Sequence, residues 1–194
     1  MRRFASLTIV ALALLLAALC ATAPVAAATL AGVTMPDSAK AGDHQLVLNG
    51  IALRSKMMFK VYVGGLYLPD KEHDWKKVLA EDEPRRMVMQ WVRNVGKDLI
   101  CEGWQEGLEA NTPNATAEVK KNFEALCGLM QDSRVGDRFV FTYLPGGGVE
   151  VAINDAVKGT LGAKPFADAL FATWIGPKPG PGEAFREALM GNAK

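Results

Sequence analysis

The sequence predicts an α+β domain built on an antiparallel sheet, and three observations predict it. Strand-like segments are grouped near residues 45–68, two amphipathic helical segments occupy residues 97–130, and a sharp hairpin signal follows at Pro145-Gly146-Gly147-Gly148. This order lacks the strand–helix alternation of a parallel α/β sheet.

The elements follow in chain order. Residues 1–28 have the layout of a cleavable signal peptide. Met1-Arg2-Arg3 gives a positive start, Leu7 to Leu19 an apolar core, and Thr22 to Ala28 small residues suited to signal peptidase. The apolar core is short for a bilayer span, and no later uninterrupted apolar run of about 20 residues follows. Leu19 stands where a lipoprotein signal wants a small residue before Cys20. Cleavage near Ala28 is therefore expected, leaving residues 29–194 as a single domain in the periplasm or the medium.

After a polar entry, residues 45–50 have strand composition and end in the turn residues Asn49-Gly50, with a second strand expected through Leu53 and Arg54. The β-branched and aromatic run from Met58 continues to Leu68, where Pro69 stops it. A short helix is expected at residues 75–79 and a strand at 86–92. Leu99, Ile100, Trp104 and Leu108 fall at helical spacing over residues 97–110, and Val119, Phe123, Leu126 and Met130 do so over 115–130. Asn111-Thr112-Pro113-Asn114 breaks the two, and Thr116 marks a helix start. Strands at 138–144 and 149–154 flank the glycine turn. Phe166, Leu170 and Trp174 repeat every four residues along a helix at 164–175, and residues 180–190 make a short closing helix.

Composition narrows the function. Losing Arg2 and Arg3 with the signal leaves 20 basic residues against 21 acidic ones, with no basic face, so a nucleic-acid partner is not expected. Cys101 and Cys127 stand on the two middle helices. In an oxidising compartment they either bridge facing helices or remain two small buried residues, and spacing alone leaves both open. No CxxC pair occurs, and His44 and His73 sit in polar loops, so neither a metal, a cofactor nor a histidine-based catalytic group is expected. Gly146-Gly147-Gly148 joins two strands and has no Lys-Ser/Thr after it, so it is a turn and not a phosphate cradle. Met57, Met58, Met87 and Met89 suit packing better than thioether metal binding; Met87 and Met89 alternate on a strand with Trp91, as an adaptable apolar wall would.

Polar residues inside apolar strands carry the most information: Arg54, Lys60, Tyr62, Tyr67 and Arg93. On one straight strand Arg54 and Tyr62 would stand about 26 Å apart. If the chain reverses near Met58, the two face each other, and a guanidinium fork with a phenol can hold a carboxylate or an enolate oxygen. Lys56-Met57-Met58-Phe59 contains no Gly, Asn or Pro to mark that turn.

Leu48-Asn49-Gly50-Ile51-Ala52-Leu53-Arg54 followed by Phe59-Lys60-Val61-Tyr62-Val63-Gly64-Gly65-Leu66-Tyr67-Leu68 resembles the opening hairpin of the chalcone isomerase superfamily. Gly136-Asp137-Arg138, Thr142-Tyr143-Leu144-Pro145-Gly146, Gly159-Thr160 and Phe166-Ala167-Asp168-Ala169-Leu170 through Trp174-Ile175-Gly176 are similar to its bacterial chalcone isomerase-like branch. The resemblance spans nearly all of the mature chain. It implies an open-faced β-sandwich, an antiparallel sheet covered on one face by helices with a cleft between them. It also implies that Arg54 matches the family arginine, and that Tyr62 stands where the isomerases have Thr and the fatty-acid-binding branch has Tyr. Residues 93–98 occupy the place of the isomerase Tyr and Lys but contain no Tyr; Gly103 falls near the isomerase Asn and Ala167 near its hydroxyl residue. Ala52 replaces a glycine common in the family.

The expectation that follows is an exported binding protein for a small apolar carboxylate, fatty-acid-like. Arg54 and Tyr62 form the polar end, with Met87, Met89, Trp91, Phe166 and Leu170 among the walls. Two alternatives remain: an intramolecular lyase of chalcone isomerase type acting on a small enone or enolate, with Arg54 steadying an oxyanion, and a cell-envelope protein-interaction domain, which would have a collapsed cleft.

Overall fold

The computed structural model describes residues 27–193. Except for Ala27 and Ala28, the expected signal segment lies outside them. A seven-stranded antiparallel meander runs in chain order through β3 (Ser38–Ala41), β4 (His44–Lys56), β5 (Phe59–Leu68), β6 (Arg85–Trp91), β7 (Arg138–Leu144), β8 (Gly148–Ile153) and β9 (Ala156–Leu161). A separate hairpin, β1 (Ala27–Leu30) with β2 (Val33–Pro36), precedes it. Among the described residues five helices accompany the strands: α1 (Trp75–Ala80), α2 (Lys97–Asn111), α3 (Ala117–Leu129), α4 (Lys164–Ile175) and α5 (Glu183–Leu189). No described helix is long and apolar enough to cross a membrane.

The helices lie on one face of the sheet, where alternate strand residues such as Leu66, Met87, Phe141 and Val151 pack under Trp104, Leu126, Phe166 and Leu170. Trp104 meets Phe141 and Trp174 edge to face at centroid distances of 5.3 and 5.1 Å, and Phe141 lies tilted against Trp174 at 5.5 Å. Local chemistry starts the helices. The Thr116 hydroxyl accepts from Val119 N–H at the head of α3, and Pro165 sits in the first turn of α4. Arg85, almost wholly buried, ties the sheet to α4: it pairs with Asp168, donates to Val78 O at 2.6 Å, and lies 5.1 Å from the Phe171 ring. Cys101 on α2 and Cys127 on α3 are joined by a disulfide, with Cα atoms 5.5 Å apart.

Several expectations change. Residues 44–56 form one 13-residue strand, not two. Asn49-Gly50 does not turn the chain; Asn49 is an extra residue in β4, a bulge between the Leu48↔Tyr67 and Gly50↔Leu66 pairs. Its buried amide donates to Glu72 O and Leu189 O and accepts from Glu72 N–H, so its polarity serves to anchor the chain's C-terminal end. The reversal comes instead at Met57-Met58, where Met57 takes a left-handed φ of 56°. Three short strands that the sequence did not mark precede β4: Ser38–Ala41, in the expected polar entry, pairs with the start of β4, and the first hairpin covers part of the sheet's other face. There Tyr67 donates to Pro36 O at 3.0 Å, and Met35 packs beneath Gly65. β9, which has little apolar patterning, completes the far edge.

A candidate ligand cleft between the sheet and helix α2

The β4–β5 hairpin positions the first two candidate side chains, Arg54 and Tyr62. Its two-residue turn pairs Lys56 with Phe59 and Ser55 with Lys60; then Val61 is left over, and Arg54 pairs with Tyr62. Residues directly opposite in an antiparallel pair project from the same face. Without the extra residue, Arg54 would oppose Val61 and Tyr62 would turn to the other face. The bulge therefore brings Arg54 and Tyr62 together on the helix-covered face.

Beyond them, the helices do not close on the sheet. A cleft of about 580 Å³ opens between the β4–β5 end of the sheet, α2 and the C-terminal end of α4. That volume suits a small organic ligand. Its floor holds Arg54, Tyr62, Met89 and Trp91, and its roof Ile100, Trp104, Thr173 and Trp174. The Tyr62 ring is braced edge to face by Trp91 at 5.3 Å and by Phe185 of α5 at 5.8 Å. Burial pushes the Tyr62 phenol well above its ordinary pKa, while the Arg54 charge and a hydrogen bond with Trp174 pull the other way. The phenol thus stays protonated and available as a donor. The indole N–H groups of Trp91 and Trp104 are buried without a hydrogen-bond partner.

Of the sequence-expected residues, Arg54, Tyr62, Met89 and Trp91 line the cleft. Met87, Phe166 and Leu170 do not; they are fully buried in the core. Met87 is four strand residues from Trp91 and Phe166 eight helix residues from Trp174, each about 12–13 Å deeper, where helices and sheet have already met. Phe166 packs against Phe123 at 5.4 Å. Ala167 is likewise in the core. Met57 and Met58 stand at the exposed hairpin tip, away from buried Met87 and Met89, so the four methionines form no common cluster. His44 is exposed; His73 is exposed with its Nδ1 2.8 Å from Met190 O.

Sequence reasoning missed Ile100, Trp104, Thr173 and Trp174 as lining, having placed the apolar ones only on helix faces. A signal existed. Gly103, Gly107 and Ala110 lie on the cleft side of α2, although mid-helix glycine costs roughly 1 kcal/mol relative to alanine. A Cβ at Gly107 would come 2.8 Å from Thr173 Cβ, so this small residue sets how α2 and α4 meet beside the cleft. Arg93, Asn94, Val95 and Gly96, at the place of the absent isomerase groups, also line it.

A curled antiparallel sheet with helices on one face and a cleft between them defines the chalcone isomerase-like class of fold. The chalcone isomerase-like family model matches residues 27–191, and the chain belongs to that family. Among solved structures it is similar to a fatty-acid binding protein of Arabidopsis thaliana, with 17% sequence identity, a TM-score of 0.69, and coverage of 86% of this chain and 97% of that one. No curated protein sequence matches it.

Proposed function

We propose that this chain is an exported carrier of a small apolar carboxylate such as a fatty acid, held in the cleft with its headgroup at Arg54 and Tyr62. The observation that carries the reading is the registered Arg54–Tyr62 pair at an otherwise largely apolar cleft. Arg54 supplies a charged fork, and Tyr62, kept neutral by burial, supplies a further donor. Val61, Met89, Trp91, Ile100 and Trp104 offer the tail an apolar channel. The family likeness and the ligand named for the Arabidopsis protein support the same class of ligand. The open cleft also speaks against the interaction-domain alternative. The order of residues 1–28 supports export to the periplasm or medium.

Native mass spectrometry of the protein purified from a periplasmic extract, followed by denaturing extraction, tests the proposal. A co-purifying fatty acid, or micromolar binding of added fatty acid, is expected. An empty protein that ignores fatty acids but turns over a chalcone would replace the carrier with an isomerase.

A further inference from the structure

The hairpin that presents Arg54 and Tyr62 continues past the sheet. Residues 55–60 pair only with one another, because β6 joins β5 from Tyr62 onward and β3 meets β4 only as far as Val47. The overhanging tip is apolar and uncovered: Met57 is 91% exposed, Met58 87% and Phe59 48%. Across the cleft mouth, Leu99 in the first turn of α2 is 60% exposed. These are most of the large exposed hydrophobics among the described residues, and Met57, Phe59 and Leu99 all border the same cleft.

The charge around this tip has one sign. Between Asp43 and Asp70 the chain has no acid, yet Arg54, Lys56 and Lys60 lie on the hairpin. Arg93 stacks on the Phe59 ring, 4.3 Å from its centroid. Among the described residues none of these four cations forms an ion pair. The acids bordering the cleft, Glu102 and Glu106, stand on α2 and not on the hairpin. Apolar side chains at a protruding tip, ringed by unpaired cations, match the depth profile of an anionic bilayer, with acyl chains beneath and phosphates above.

We infer that the β4–β5 hairpin docks on an anionic lipid surface, with Met57 and Met58 entering the acyl boundary while Lys56, Lys60 and Arg93 meet phosphates. This inference rests on the carrier reading for its purpose, since it sets the cleft mouth against the membrane from which an apolar carboxylate would enter or leave. Its physical basis is independent of that reading.

Flotation of the purified protein with vesicles of phosphatidylglycerol and phosphatidylcholine, against phosphatidylcholine alone, tests it. The protein is expected to float with the anionic vesicles, less so at high salt, and to remain free of neutral ones. Met58→Asp with Lys60→Glu, two exposed positions outside the cleft lining, is expected to weaken vesicle binding at least tenfold. Its fatty-acid affinity in solution should be unchanged. Val157→Asp, an exposed apolar site on β9, should float like the unaltered protein. Failure to bind anionic vesicles, or undiminished binding by the hairpin variant, overturns the inference. So does a concentration-dependent dimer abolished by the same variant without vesicle binding, which would make a second copy the occupant. Fatty-acid binding without vesicle binding sinks the docking alone; vesicle binding without any fatty-acid affinity sinks the carrier reading alone.

Discussion

Arg54 stands directly across from Tyr62, and the pairing depends on the bulged Val61 between Tyr62 and the turn. A one-residue register difference decides which face each side chain occupies. With Val61 absorbed as an extra residue, Phe59, Val61 and Tyr62 all border the cleft beside Lys56 and Arg54.

Replacing Arg54 with Ala removes the charged partner proposed for a carboxylate ligand while leaving the apolar lining intact. Arg54 is only half-buried, so the expected loss is about 1.5–3 kcal/mol, or roughly 10- to 150-fold in affinity. Titration calorimetry with a fatty acid and with its methyl ester checks it. The unaltered protein should prefer the acid, and Arg54→Ala should bind both about equally. An undiminished preference for the acid would remove Arg54 from the site.

All three tyrosines of the chain are held protonated beyond their ordinary range. Burial is the first cause in each case: it raises Tyr62 and Tyr67, and with the nearby Asp82 carboxylate pushes Tyr143 up to about 12. Because the folded pKa lies above the unfolded value near 10, the unfolded chain loses its phenol protons first. The part of the stability that these phenols contribute is therefore full below about pH 10 and falls as pH rises above it. Absorbance at 295 nm should show little tyrosinate until the protein unfolds, and Tyr62→Phe should shallow the alkaline decline. Tyrosinate rising near pH 10 while the fold persists would contradict this.

The Cys101–Cys127 bond closes a loop across α2, whose other side roofs the cleft. A bridge over 26 residues stabilises by about 2–4 kcal/mol through restriction of the unfolded chain. Cys127→Ser, or full reduction, should lower the melting temperature by roughly 5–15 °C for a domain of this size. Calorimetry with and without reductant measures it, and equal melting temperatures would show the bridge to be absent in solution.

Gly50 leaves no room for a side chain: a Cβ there would stand 2.6 Å from Leu189 O at the end of α5. Gly50→Ala must push the C-terminal helix off the sheet, at a cost of about 3 kcal/mol, the upper range for overpacking. The displacement should expose residues 183–190 to limited proteolysis at a rate the unaltered protein does not show.

The strand-first order, both middle helices and the glycine hairpin were legible from periodicity and turn residues, and α4 was legible to the residue. Asn49-Gly50 misled because the strongest local turn signal is used for a bulge and a helix contact, neither of which is local. The true turn at Met57-Met58 carries no marker, since a methionine there adopts left-handed φ only because the flanking strands impose it. The same limit governs the cleft. Periodicity correctly put Met87, Met89 and Trp91 on one face, and Phe166, Leu170 and Trp174 on another. How far along those faces the helices part from the sheet depends on small residues such as Gly103 and Gly107 meeting distant partners.

The attachment of α5 has a consequence for how the molecule is made. Asn49 is tied to Leu189 across 140 residues, and Phe185 fits over Gly64 and against Tyr62. These contacts close a loop nearly as long as the domain, and contacts of such high sequence separation form slowly and late. Until residues 183–189 dock, the Tyr62 ring lacks one of its braces and the inner end of β4 and β5 stays uncovered. The cleft is therefore completed only when α5 packs back onto the β4–β5 hairpin of the sheet.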